Sequence, residues 1–548
     1  MKLSKKVLGV TLASSLTLGS IGMISGKEKV EAKNNPPKAK NVIVLVMDGV
    51  SSSTTTLARW YKGKPLALDG IVSGGVRTYS AESAITDSAP AGTALATGNK
   101  SNDKFVGVLP ELVKTPGVDP SLADDAYKPV ANVLEGAKIS GKSTGIISTS
   151  EIQHATPAAF SSHAEHRSQY DNIAEQQVYQ NIDVVLGGGK DSLLVGKEKN
   201  NRKDGENLLE VIEDKGYDIV TTKDELVKSK SKKLWGSFAP AALAYDMDRS
   251  QTNPKEPTLA EMTKKGIATL SKDKDGFFLF IEGSKPDWAA HSNDAIGMIS
   301  DTLAFDEAVK EALDFAKKDK NTLVIAVSDH GNSGISIGNK NTDGTYSSTP
   351  VSAYIEPLKK AKMTLEGALK QLRPDKSNVL EVAALYGIDH PSKTEKKAIE
   401  QSDDLSKTLV QLLANRANLG FTTSGHTGED LFLYSYGPGQ PVGLVENRDI
   451  AHAVASSLGF NLKQVSNTLF IDAEAAFKAI GAKVSVASSN EQNPVLLIKK
   501  GKKTAEFPVN KNIVKLNGKE IELDSVTVRS NGKFYVSKEA VQLVKKAK

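Results

Sequence analysis

The chain has 548 residues, 39% of them hydrophobic, with 70 Lys and Arg against 65 Asp and Glu. That is ample for one large domain with additions, or two or three domains, and with no cysteine neither a disulfide nor a lipid-modified cysteine is possible. The net charge of +5 is uneven: residues 491–548 carry 13 basic against 6 acidic side chains and residues 1–32 carry 5 against 2, so the body is mildly acidic, which argues against nucleic acid as its partner.

The N-terminus places Lys2, Lys5 and Lys6 before an apolar run from Val7 to Ile24, followed by the small–x–small triplet Val30-Glu31-Ala32. This pattern predicts a secretory signal peptide over 1–32 and a mature protein that is secreted or associated with the cell surface. No later stretch is long and apolar enough to span a bilayer. Beyond it, buried-strand runs alternate with helical patterns: NVIVLVMDG (41–49), STGIISTS (143–150), IDVVLGGG (182–189), GFFLFIEGS (276–284) and NTLVIAVSDHG (321–331), with a helix over 300–318. The alternation predicts an α/β fold with a central, largely parallel sheet sandwiched by helices. Ligands of such sheets bind beyond the strands' carboxyl ends, where Asp48, Glu282, Asp329 and His330 all fall. Gly187–Gly189 reads as a strand-exit turn in preference to a phosphate cradle.

The segment AITDSAPAGTALATG (84–98) sets Asp87-Ser88 before a run of small residues. It reads either as a close-packing helix capped by Asp87, or as a nucleophilic Ser88 at a helix N-terminus, where an anion is welcome. Among eight histidines, His291 follows Asp287 by four residues and shares its helix face. His330 adjoins Asp329, and His426 sits in a Gly-flanked loop. Imidazoles and carboxylates without thiols suit a catalytic zinc better than a structural one. Taken singly, each of these residues reads as well as a cap, a turn or a polar helix face. Two stretches, about 190–255 and 331–425, read as inserts, the second as a lid or dimer contact.

From Ser466 the chain changes character into a small α+β module. LFIDAEAAFKAI (469–480) and FYVSKEAVQLVK (534–545) share strand–turn–helix spacing, and LNGKEIEL marks a hairpin between them. This module resembles the copper amine oxidase-like N-terminal domain, although it holds no His or Cys with which to bind copper. Its basic charge suggests contact with anionic cell-surface polymers.

Seven motifs occur in order over roughly 40–460: VMDGV, TDSAPAGTALATG, STSEIQHATPAAF, HRSQYD, IEGSKPDWAAH, SDHG and SGHTG. In this series the chain resembles the alkaline phosphatases. The resemblance implies a metal-dependent phosphomonoesterase with two Zn2+ and one Mg2+ per chain, commonly a homodimer, that releases inorganic phosphate through a phosphoseryl intermediate. It assigns Asp287, His291 and His426 to one zinc, Asp48, Asp329 and His330 to the other, and Asp48, Thr156 and Glu282 to magnesium. Ser88 matches the nucleophile and Arg167 the phosphate-binding arginine. His154 and Trp288 stand where some members carry Asp and Lys, and are expected beside the site together with Asp87.

Three rival readings remain. A phosphodiesterase on the same scaffold would differ only in pocket shape. A sulfatase is opposed by Gly92, which stands where the sulfatase pattern needs Arg. A non-catalytic surface protein leaves the ordered His, Asp, Ser and Arg series unexplained.

Overall fold

A computed structural model describes residues 39–198, 201–487 and 493–546. The expected signal peptide lies outside them. Among the described residues no helix is long and apolar enough to cross a membrane.

The centre is a ten-stranded sheet. In chain order its strands are β1 (Asn41–Met47), β2 (Val72–Arg77), β3 (Ser143–Glu151), β4 (Val184–Gly188), β5 (Asp218–Val220), β6 (Leu234–Ser237), β7 (Phe277–Gly283), β8 (Thr322–Val327), β9 (Leu431–Tyr436) and β10 (Gly443–Glu446). Their spatial order is β10-β2-β9-β8-β1-β7-β3-β4-β6-β5. Only β9 runs against the rest, pairing antiparallel with both β2 and β8. The lysine-rich stretch 190–255 thus supplies two strands, β5 and β6, that prolong the sheet. The second stretch, 331–425, folds mainly into helices whose apolar faces close over Tyr354, Tyr386 and Leu409.

Every residue of β1 is buried. Val42, Val44 and Val46 enter the core on one face, and Ile43, Leu45 and Met47 enter the core on the other. A strand apolar on both faces is what helices on both sides require.

Register then sets the site. Val46 of β1 pairs with Glu282 of β7 and with Val327 of β8, and Ser148 of β3 pairs with Glu282. The carboxyl ends of four adjacent strands are therefore level, and Asp48, Glu282 and Asp329 emerge side by side.

The C-terminal domain is small and largely antiparallel, with a five-stranded and a three-stranded sheet. The internal repeat is visible in space: Ile471–Asp472 precedes the helix Ala473–Ala479, Lys533–Val536 precedes Lys538–Lys546, and the two strands pair, Ile471 opposite Val536. The hairpin joining Ile513–Leu516 to Lys519–Glu522 turns on Asn517 and Gly518, both at positive φ, as a two-residue turn demands.

Candidate active site

Ser88 is the first residue of the helix Ser88–Thr97, all of whose residues are buried. The small residues explain that burial. A Cβ on Gly92 would lie 3.2 Å from the Thr156 backbone, so this helix and Ala155–Ala159 approach closely. Asp87 occupies the cap position, but its side chain makes no cap hydrogen bond. Its carboxylate instead accepts from Arg167 Nη1 at 2.6 Å, while Arg167 Nη2 reaches His154 Nε2 at 3.0 Å.

Three groups of potential ligand atoms gather at the strand ends: Asp287, His291 and His426; Asp48, Asp329 and His330; and Asp48, Glu282 and His154. In the first, His291 Nε2 lies 3.3 Å from Asp287 Oδ2 and 3.2 Å from His426 Nε2. In the second, His330 Nε2 lies 3.4 Å from Asp48 Oδ1, 3.3 Å from Asp329 Oδ2 and 3.1 Å from Ser88 Oγ. Each histidine turns Nδ1 to a backbone carbonyl: His291 to Ser424, His330 to Gly331 and His426 to Thr86. A donor at Nδ1 leaves the Nε2 lone pair free for a metal. Gly49 sits at positive φ, and any Cβ there would strike Asp287 at 2.5–2.8 Å.

The carboxylates are crowded, and the crowding shows in their proton affinities. Burial raises the Asp48 carboxyl well above the usual range, helped by the charges of Asp329 and Asp287. Burial likewise pushes Asp329 and Glu282 up to about 7. Asp287 is the exception: burial would raise it, but the hydrogen bond from His291 and the nearby His330 and His426 hold it low. The same bond raises His291 to about 9, whereas burial lowers His330 and, with Arg167 beside it, takes His154 down to about 3.

Both Asp48 oxygens, Glu282 Oε1, Asp329 Oδ2 and Thr156 Oγ1 are buried without a hydrogen-bond partner. Orphaned acceptors of this kind, amid like charges, fit bound divalent cations, which replace the protons that burial otherwise demands.

The sequence did not single out several supporting residues. Hydroxyls of Ser148, Ser284 and Ser150 all converge on Glu282 Oε2, at 2.6, 2.7 and 3.3 Å, and leave Oε1 free. Asn332 Nδ2 donates to Asp287 Oδ1 at 2.7 Å. Serine spacing in STGIISTSE hints at the first of these; nothing local marks the second. His154 and Trp288 meet edge to face, ring centroids 5.7 Å apart. Trp288 is an apolar wall, yet a charge lies beneath it, because the buried Lys285 Nζ sits 4.3 Å from its ring centroid.

Two other features fall outside the centre. Gly189 closes the β4 exit, and its N–H donates to Ala241 O at 2.8 Å instead of facing an anion. A fourth acidic group, Glu175, Asp204 and Glu206, already holds cations from the chain: Lys511 Nζ lies 2.7 Å from Glu206 and 3.4 Å from Glu175, and Arg202 pairs with Asp204.

Comparison with known proteins places the chain among known families and folds. A family model described as alkaline phosphatase matches residues 39–460, and one described as the copper amine oxidase N-terminal domain matches 457–547. Alkaline phosphatase 3 of Bacillus subtilis is 35% identical over 497 residues, covering 84% of this chain and 99% of the relative. The crystal structure of Thermus thermophilus alkaline phosphatase superposes with a TM-score of 0.67 at 27% identity, over 80% of this chain and 96% of that one. A histidine-to-aspartate variant of the alkaline phosphatase from the Antarctic bacterium TAB5, with Mg bound in its M3 site, superposes with a TM-score of 0.56 at 26% identity, over 78% and 99%.

Proposed function

Because the chain belongs to the alkaline phosphatase family, with a copper amine oxidase N-terminal-type domain at its end, we propose that it hydrolyses phosphate monoesters through a phosphoseryl intermediate on Ser88. One observation carries this reading. Ser88 Oγ lies 3.1 Å from His330 Nε2 within a cluster of partnerless carboxylates, while Arg167 is bound to the residue just before it.

Asp287, His291 and His426 form one zinc site in this reading, Asp48, Asp329 and His330 the second, and Asp48, Thr156 and Glu282 a magnesium site. Cations there supply the positive charge that favours the Ser88 alkoxide and neutralises the departing oxygen. Ser88 Oγ attacks phosphorus in line, the bond to the alcohol oxygen breaks, and the alcohol takes up a proton. Water then cleaves the Oγ–P bond, returns a proton to Ser88 and releases inorganic phosphate. Arg167 uses one N–H of Nη1 on Asp87, and its Nη2 contacts His154. Each terminal nitrogen keeps a second N–H, so the planar fork presents two donors to the phosphoryl oxygens. The helix N-terminus behind Ser88 adds its own attraction for an anion.

Gly92 supports this reading over a sulfatase. A Cβ there would already press on the Thr156 backbone and Ala159 at 3.2 Å, so a larger side chain requires the two helices to shift apart. We place the mature enzyme outside the cell on the leader pattern of 1–32, and expect a homodimer on family resemblance alone.

Hydrolysis of p-nitrophenyl phosphate before chelation, after EDTA, and after return of zinc and magnesium tests the proposal. Loss and rescue are expected. A metal-loaded sample that cleaves only diesters or sulfate esters overturns the substrate class.

A further inference from the structure

The C-terminal domain reaches the segment that carries Arg167. Its turn at Asn531 donates a backbone N–H to Glu165 at 2.5 Å, two residues from Arg167. Asn510 donates to Asn172 and Glu175 and accepts from Gln176, at 3.0–3.2 Å. Phe470 lies edge to face with His163, centroids 4.5 Å apart. The segment 163–176, which carries Arg167, is thus held along its length by the C-terminal domain.

Between the two parts lies a cleft of about 1020 Å³. Arg167 and His154 line it on the catalytic side, and Arg529, Asn531 and Gly532 line it on the C-terminal side. Its character is unlike a drug-type apolar pocket. Amide and carboxylate side chains such as Gln169, Asp171 and Asn531 are prominent in its walls. Planar amides and carboxylates pair well with hydroxyl groups, acting as donor and acceptor in one plane. Arg167, Lys203 and Arg529 line it together with Glu151, Glu165 and Asp204, so its charge is mixed.

We propose that this cleft is a leaving-group subsite, that Arg529 and Asn531 of the C-terminal domain help form it, and that it takes hydroxyl-rich alcohols, sugars or polyols. The proposal rests on the monoesterase reading above and deepens it. It gives the C-terminal domain a part in substrate choice. Arg529 is exposed, with its guanidinium 6.0 Å from the Phe534 ring centroid, so it is supported from below and free to donate.

The test compares kcat/KM for two probes, p-nitrophenyl phosphate and glucose 6-phosphate, in the intact protein and in Arg529→Ala and Asn531→Gly. Glycine tolerates the positive φ of 46° at residue 531 and preserves the turn while removing the side-chain amide. Each variant is expected to lower the glucose 6-phosphate to p-nitrophenyl phosphate ratio by about tenfold, the loss of one hydrogen bond to substrate. A ratio unmoved within about twofold, or both substrates falling together, overturns the subsite, because the domain then acts only by holding the Arg167 segment. A wild type inert toward p-nitrophenyl phosphate overturns the monoesterase reading itself and this proposal with it.

Discussion

Arg167 and Asp87 are joined by a hydrogen bond of 2.6 Å, and the residue after Asp87 is Ser88. The proposed nucleophile and the proposed phosphate-binding arginine therefore share one anchor, although 80 residues separate the two partners. Arg167→Lys replaces a planar fork by a point charge that cannot hold Asp87 and also offer two aligned donors. We expect kcat/KM for p-nitrophenyl phosphate to fall by about 10- to 100-fold, the worth of a charge-assisted pair of bonds. Wild-type kinetics in the lysine variant would remove Arg167 from the phosphate site.

Ser88→Ala removes the oxygen proposed to attack phosphorus. Turnover is expected to drop by about a thousandfold or more, with zinc content by elemental analysis unchanged. Incubation with labelled phosphate followed by an acid quench should leave label on the wild type and none on the variant. Label retained by the alanine protein would point to another nucleophile.

His154 joins Asp48 and Glu282 in the third ligand group, and its Nδ1 is buried without a partner. His154→Asp adds a negative oxygen donor to a site suited to a hard cation. The magnesium concentration for half-activation of the EDTA-stripped enzyme should fall by about tenfold. An unchanged activation curve would place His154 in the packing alone.

Lys100 is almost wholly enclosed, 1% exposed, with Nζ 2.7 Å from Tyr79 O and 3.3 Å from Glu446 Oε2. Burial lowers its pKa to about 8, against the opposing pull of Glu446. Between that value and the unfolded value of about 10.4, the unfolded chain binds more protons than the native one, so stability rises with pH. Lys100 should add about 3 kcal/mol across this window, present above it and lost as pH falls through it. Urea midpoints at pH 7 and pH 10 should diverge less in Lys100→Met than in the wild type. Equal divergence would show that Lys100 is charged in the fold.

Lys511 joins the C-terminal domain to Glu175 and Glu206 of the body. Even beside this ammonium, burial pushes Glu175 up to about 8. Lys511→Met should cost about 3 kcal/mol at pH 9, where Glu206 loses its partner and Glu175, which the ammonium holds down, must take up a proton. The loss should shrink at pH 6, where Glu175 is protonated. Calorimetric Tm values at the two pH values check this, and an equal loss at both would assign the effect to packing.

Much of the architecture was legible along the chain. The runs 42–47, 277–281 and 323–327 are apolar at every position and an acid follows each within two residues, and that pattern is local: neighbouring side chains decide whether a strand is buried on both faces. The order of motifs and the strand–turn–helix repeat of the tail are local too. The sequence by itself therefore determined the α/β class, the family resemblance and the candidate residues.

Tertiary structure decided how those residues meet. That Asp87 serves Arg167 and not its own helix cap, and that three serine hydroxyls converge on one oxygen of Glu282, depend on strand order and register. So does the docking of Asn531 on Glu165, which spans 366 residues. Periodicity encodes which face of an element is apolar. It carries no information about which distant element will cover that face, because that choice is made by packing the whole core at once.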